Sequence, residues 1–141
     1  MDSLIYNSKI EVKKSPIHGY GIFAKENIKK DEILEECHFI PLNYDGGYMS
    51  YYQPSNIERY IFTFPKTIKK SFNSPKEKLE LVLPLGGGCI YNSSPNANAD
   101  WQTDVKRRLF IYKAIKNIKK GEEICTNYES HITWCKKNNL I

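Results

Sequence analysis

The chain is 141 residues long, 40% hydrophobic and 26% charged, with a formal net charge of +5. That length and balance suit a single folded domain, residues 1–141, and favour neither a disordered nor a fibrous class. The positive excess sits in dispersed lysine pairs, Lys13-Lys14, Lys29-Lys30, Lys69-Lys70 and Lys119-Lys120, interrupted by Asp31, Glu32, Glu35, Glu36, Glu122 and Glu123. A solvated lysine face is therefore expected rather than direct nucleic-acid binding.

The amino terminus "MDSLIYNSKIEV" has no basic start leading into an apolar run, and no window approaches the roughly eighteen apolar residues of a membrane span. A soluble, intracellular, non-secreted protein with no membrane partner is expected, and Asn92-Ser93-Ser94 is then not a glycosylation site. "KIEVKK" alternates Ile10 and Val12 with lysines, as a half-buried strand does, and "SPIHGYG" follows as turn punctuation. "GIFA" and "EILEECHFIPL" read as further short strands. Between them "NIKKDEIL", Asn27 to Leu34, returns almost unchanged as "NIKKGEEI", Asn117 to Ile124. The echo is too short for a solenoid and predicts two similar turns, each feeding a strand.

From Asn43 to about Leu85 the composition shifts to an insert. Ser55 and Glu58 form a capping box, which predicts a short helix from about Asn56 to Phe62, closed by Pro65. "SPKEKLELVLPL" predicts a polar turn leading into a strand. "KRRLFIYKAI" has the β-branched and aromatic content of a strand, and "ESHITWCKKNNLI" predicts a short helix capped by Ser130. The sum is a mostly β domain with short helices. Cys37, Cys89, Cys125 and Cys135 lack the close-pair spacing of structural zinc sites, so reduced, mostly buried thiols and no bound metal are expected.

Three separated stretches carry chemistry. Gly19-Tyr20-Gly21 lets a ligand approach the backbone closely, although a plain turn has the same composition. "GGGCIYN" brings apolar backbone to a polar cluster at Asn92, and "GEEICTNYES" runs from an acidic turn to Tyr128.

In order and spacing these stretches resemble the SET-domain family of protein lysine methyltransferases, with a likeness to its small viral-type members. The match runs from about Ile10 to Trp134. Gly19 to Ala24 stands for "G-x-G-(I/V)-F-A". Ile28 to Glu36 stands for the "I-x-x-G-(E/D)-x-(I/L)-x-E" strand entry, with Asp31 where glycine is common. Tyr60-Ile61-Phe62 stands for "Y-x-F", Asn92 to Ala99 for "N-H-S-x-x-P-N-A", and Gly121 to Tyr128 for "G-E-E-(I/L)-x-x-x-Y". The resemblance implies a β-clip of small curved sheets with a C-terminal pseudoknot, a core of about 10–134, a variable insert of about 43–85, and no zinc-binding flanking modules. Cytoplasm or host nucleus would be the compartment.

It also implies protein-lysine N-methylation with S-adenosyl-L-methionine as cofactor, on a histone tail or another lysine-bearing protein. The lysine amine would attack the sulfonium methyl in line, with alignment and a polar environment as the protein's contribution. The implied cofactor contacts are His18, Gly19, Tyr20, Gly21, Tyr60, Asn92, Ser93, Tyr128 and Trp134. Tyr128 is the implied catalytic residue, and Tyr60, Phe62, Tyr91, Trp101, Trp134 and Thr126 line the implied substrate channel, where aromatic faces hold a methylammonium. Thr126 stands where the family often has phenylalanine or tyrosine, which implies room for more than one methyl unless Trp101 intrudes from the other side. Ser93 replaces the family histidine, and Ala97 stands where proline is usual. These departures leave open a second class, a catalytically silent SET-fold module that binds peptide or cofactor; a small nucleic-acid binder is a third. A homodimer is implied by analogy with the minimal viral members. Glu35, Glu36, Asp100, Asp104 and Glu129 are candidates to rim a groove for a basic peptide.

Overall fold

The computed structural model describes residues 3–42, 62–65 and 79–129. Ten strands among these residues form three small antiparallel or mixed sheets. The first contains β1 (Ile10–Lys14), β2 (Tyr20–Ala24), β10 (Glu123–Thr126) and β7 (Asn92–Ser93), in the order β1-β2-β10-β7. β1 is an edge strand, so only Ile10 reaches the core while Val12 stays 47% exposed, which corrects the expected half-buried alternation. β2 lies between two neighbours and buries Gly21 to Ala24. β7 pairs with β10 in parallel, Asn92 opposite Cys125 and Ser93 opposite Thr126. That pairing ties the asparagine-rich stretch directly to the strand that ends two residues before Tyr128.

The second sheet has the order β3-β9-β8, from β3 (Ile33–Cys37), β9 (Leu109–Ala114) and β8 (Ala99–Asp104). β8 was not expected from composition, because Asp100, Gln102 and Asp104 dilute its hydrophobicity. Its signal is the alternation of exposed Asp100 and Gln102 with buried Ala99 and Trp101. The third sheet, order β4-β6-β5, comprises β4 (Phe39–Pro41), β6 (Leu79–Pro84) and β5 (Phe62–Pro65). The strand predicted to follow "SPKEK" is thus β6. Phe62 begins a strand rather than ending a helix; the predicted helical residues 56–61 lie outside the described residues. Pairing of Phe62 with Val82 supplies the reason, since a strand edge offers partners that a one-turn helix lacks.

Phe110 joins the second and third sheets. It is fully buried, with ring centroids 5.9 Å from Phe39, 5.5 Å from Phe62 and 5.2 Å from Phe64 in edge or T-shaped contacts.

The two "NIKK" segments meet each other. Ile28 and Ile118 form an antiparallel bridge with 2.8 Å hydrogen bonds in both directions. Asn117 Oδ1 accepts from the Lys30 amide and Asn27 Oδ1 from the Lys120 amide, each at 2.9 Å. The reciprocity continues outward: Asp31 N donates to Ala114 O and Gly121 N to Ala24 O, while Ala114 N donates to Glu32 O and Ala24 N to Glu122 O. Asp31 and Gly121 hold matching left-handed backbone, φ 73° and 91°. Each turn feeds a strand, β3 and β10, as the repeat predicted. The two are related by a local two-fold.

At the carboxy-terminal side Tyr128 and Glu129 are already helical, and Asn127 Oδ1 accepts the Glu129 amide at 3.0 Å. Asn127 therefore caps this turn, and the helix predicted from Ser130 lies outside the described residues. The expected C-terminal threading and Trp134 fall on residues 130–141, outside the described residues. No helix among the described residues is long and apolar enough to cross a membrane.

Candidate functional site

The Ser15–Gly19 turn is closed by Ser15 N donating to Gly19 O at 2.7 Å, with Gly19 at φ 50°. Ser15 Oγ accepts from Ile17 N at 2.9 Å and donates to the Glu123 carboxylate at 2.7 Å. Asn92, 9% exposed, inserts its amide nitrogen here, within hydrogen-bond distance of Glu123 Oε2 (2.7 Å), Ser15 Oγ (3.1 Å), His18 O (3.1 Å) and Tyr20 O (3.4 Å). Among the described residues Asn92 Oδ1 accepts no hydrogen bond. Gly21 is required by this crowding, since a Cβ would run into the Glu123 carboxylate and the Asn92 amide. A Cβ at Gly19 would meet nothing within 4 Å, so the outer side of the turn is open. His18 and Tyr20 are exposed, Tyr20 by 63%. The result is a set of carbonyl, amide and carboxylate oxygens beside exposed backbone, an environment that favours a cationic head group.

The stretch Asn92–Ala99 straps β10. Ser93 Oγ accepts the Tyr128 amide at 3.2 Å, and Ser94 N donates to Thr126 O at 2.8 Å. Asn98 behaves as a surrogate strand: its Nδ2 donates to Glu123 O and its Oδ1 accepts from Cys125 N, both at 2.9 Å. Ala97 is buried at the bend between them. Ser93 thus orients the residue that carries the most chemical interest.

The Tyr128 hydroxyl donates to the Tyr91 carbonyl. Around its ring stand Trp101 at 6.1 Å and Phe62 at 6.4 Å, both edge-on, and Phe62 and Trp101 contact each other at 5.4 Å. Tyr91 itself stacks on Tyr112 at 4.4 Å with planes 8° apart, and its hydroxyl donates to Glu35 at 2.8 Å. Thr126 is fully buried, and its hydroxyl has no hydrogen-bond partner among the described residues. Phe62, Tyr91, Trp101 and Tyr128 are therefore brought together from four separate elements, beside Asn92 and Ser93. Tyr60 and Trp134 lie outside the described residues.

Two expected rim residues are not at a rim. Glu35 is 2% exposed, bonded by Tyr91 and by the Gly87 amide at 3.2 Å, and Glu36 is 8% exposed, bonded by Arg107 at 2.5 Å and the Ile5 amide at 3.0 Å. Both sit in β3 and face protein, Glu35 toward Tyr91 and Gly87 and Glu36 toward Arg107 and the amino-terminal segment; Asp100 and Glu129 are exposed. The Arg107 guanidinium holds the Glu36 carboxyl below its ordinary range. Burial pushes the Cys89 and Cys125 thiols up to about 11 and Cys37 higher still, so these three free thiols are protonated. Among the described residues no three His, Cys, Asp or Glu side chains are grouped to hold a metal ion.

Sequence reasoning missed Ser15, Glu123, Asn98, Tyr112 and the buried role of Glu35. Only the "E-E" of "GEEI" and the second asparagine of "NANA" carried any local signal for them.

Comparison with known proteins bears on the family and the fold. Residues 19–129 match the SET domain family model. A Schizosaccharomyces pombe protein, histone-lysine N-methyltransferase, H3 lysine-37 specific, is 22% identical over 128 residues, covering 91% of this chain and 78% of that one. A Plasmodium falciparum protein assigned as a candidate histone methyltransferase superposes with a TM-score of 0.62 at 29% identity, over 86% of this chain and 94% of that chain. The Neurospora SET domain protein DIM-5, a histone lysine methyltransferase, shares the fold at TM-score 0.62 and 19% identity, over 84% of this chain and 51% of that chain. With the family match spanning most of its length and the fold in agreement, the chain belongs to the SET domain family.

Proposed function

We propose that this protein is a protein-lysine N-methyltransferase that uses S-adenosylmethionine, and that its substrate is a lysine-bearing protein of the histone-tail class named in its relatives. The observation that carries the reading is convergence: Tyr128, from the end of β10, meets Phe62 and Trp101 directly beside the Asn92 cluster. The residues fit the cofactor. Asn92 Oδ1 is an acceptor with no donor among the described residues, next to the Glu123 carboxylate and the His18 and Tyr20 carbonyls, which suits an ammonium group. Main chain from His18 to Gly21 and the exposed Ser93 would hold the remainder. When bound, S-adenosylmethionine supplies an electrophilic methyl group.

The chain's own residues supply alignment. Phe62 and Trp101 present faces and edges that hold an aliphatic lysine stem and exclude water, which favours the neutral amine, whereas the Tyr91 ring is stacked on Tyr112 in the core and contributes only its carbonyl. Tyr128 has its proton committed to the Tyr91 carbonyl, so toward an approaching amine it acts as an acceptor. Ser93 takes the place of the family histidine and holds Tyr128 through its amide.

Transfer of label from radioactive cofactor to histones or to a lysate, with the labelled lysine identified by mass spectrometry, tests the reading. Cofactor binding without any transfer would instead favour a SET-fold module that binds and does not catalyse.

A further inference from the structure

The paired turns form a second candidate site, remote from Tyr128. Between them lies an open cleft of about 530 Å³, lined by Asn27, Lys29, Lys30, Asn117 and Lys119, with Ile28 and Ile118 at its base. No carboxylate lines it. Each asparagine commits its Oδ1 to the opposite turn, which leaves both Nδ2 groups as donors without a partner among the described residues. Lys25, Lys29, Lys30, Lys116, Lys119 and Lys120 are all exposed on these turns, and none of their ammonium groups forms an ion pair among the described residues. The exposed acids of the same segments, Glu26, Asp31 and Glu122, are fewer and lie outside the lining.

We infer that this cleft binds the phosphodiester backbone of a nucleic acid. Ammonium and amide donors without acceptors are the groups that contact phosphate oxygens. The donors are spread along both sides of the bridge rather than gathered round one buried point, which suits a chain of anions better than a single phosphate. The local two-fold also matches a duplex, whose two strands present phosphates related by local dyads. An acidic polypeptide is disfavoured, because Ile28 and Ile118 are each 1% exposed and leave no apolar surface to anchor side chains. The reciprocal backbone bonds fix the main chain that carries the donors, so little backbone ordering is needed on binding. This inference does not depend on methyl transfer.

The test is fluorescence anisotropy with a labelled mixed-sequence DNA duplex of about 20 base pairs, titrated between about 50 and 200 mM salt. Wild type is compared with Lys29→Gln/Lys30→Gln/Lys119→Gln/Lys120→Gln and with a control, Lys13→Gln/Lys14→Gln. The quadruple variant should bind at least about tenfold more weakly, with the salt slope reduced by about 0.9 for each lysine that contacts a phosphate. The control should change affinity by less than about twofold. Should the quadruple variant not fold, Lys30→Gln and Lys119→Gln are measured singly, each expected to lower the slope by about 0.9. Unchanged binding by the cleft variants, an equal effect of the control, or equally tight binding of polyglutamate would overturn the proposal.

Discussion

Tyr128 is the residue on which methyl transfer would turn, and its environment makes the test clean. Its hydroxyl bonds the Tyr91 carbonyl, while the ring packs against Phe62 and Trp101. Tyr128→Phe should therefore keep the fold and cofactor binding within about twofold while turnover falls by about 10² or more; equal turnover would remove the assigned role. A second property is proposed for Thr126. Its side chain is small and fully buried, at a position where the resemblance implies a larger aromatic ring. Mass spectrometry after exhaustive reaction should accordingly show di- or trimethyl product, and product confined to monomethyl would contradict the role given to this position.

The elements are held by two kinds of contact with different sensitivities. Phe110, in β9, seats its ring among Phe39, Phe62 and Phe64, so Phe110→Ala should cost about 3–5 kcal/mol, read by urea denaturation. Because Phe62 loses a neighbour, the aromatic cluster at Tyr128 should loosen with it. The twin turns respond to backbone strain instead. Gly121 has φ 91° and open space where a Cβ would stand, so Gly121→Ala should cost about 1 kcal/mol from conformation alone. Gly121→Asp should cost less, since Asp31 already adopts the matching conformation in the other turn.

Across the whole molecule, long-range polar contacts tie the amino-terminal segment to the central strands. Glu36 bonds Arg107 and the Ile5 amide, and Glu32 bonds Lys9, Asn7 and the Lys29 amide. Both carboxyls are held below their ordinary range: Glu36 first by Arg107, Glu32 first by the Lys29 amide. A group with a lowered folded pKa adds stability above its unfolded value, about 4.3 for Glu, and loses it as pH falls through the folded value. Stability should thus be flat above about pH 5 and decline below about pH 4.3. Arg107→Gln should lower the plateau by about 1–3 kcal/mol, because the Glu36 side chain, 4% exposed, would lose its guanidinium partner and keep, among the described residues, only the Ile5 amide. A plateau unchanged by Arg107→Gln in urea titrations at pH 7 would contradict this account.

Much was legible in the sequence, for identifiable reasons. Gly19-Tyr20-Gly21 marked a place of close backbone approach, Asn92 and Tyr128 stood out within their motifs, and the repeated "NIKK" marked two like turns. The β-branched and aromatic content of "KRRLFIYKAI" and the short apolar run "GIFA" announced β9 and β2. Other features were not legible because they depend on partners far along the chain. Ser15 meets Glu123 across 108 residues, and Tyr91 meets Glu35 across 56, so no local pattern marks either pair. Phe62 reads as the end of a helix until β6 supplies its strand partner. The lysines of the two turns read as scattered until the Ile28–Ile118 bridge sets them side by side. Local chemistry fixes which residues are able to act, through backbone freedom and side-chain type. Tertiary structure decides which of them meet, because hydrogen bonds and ring contacts form through space and not along the chain.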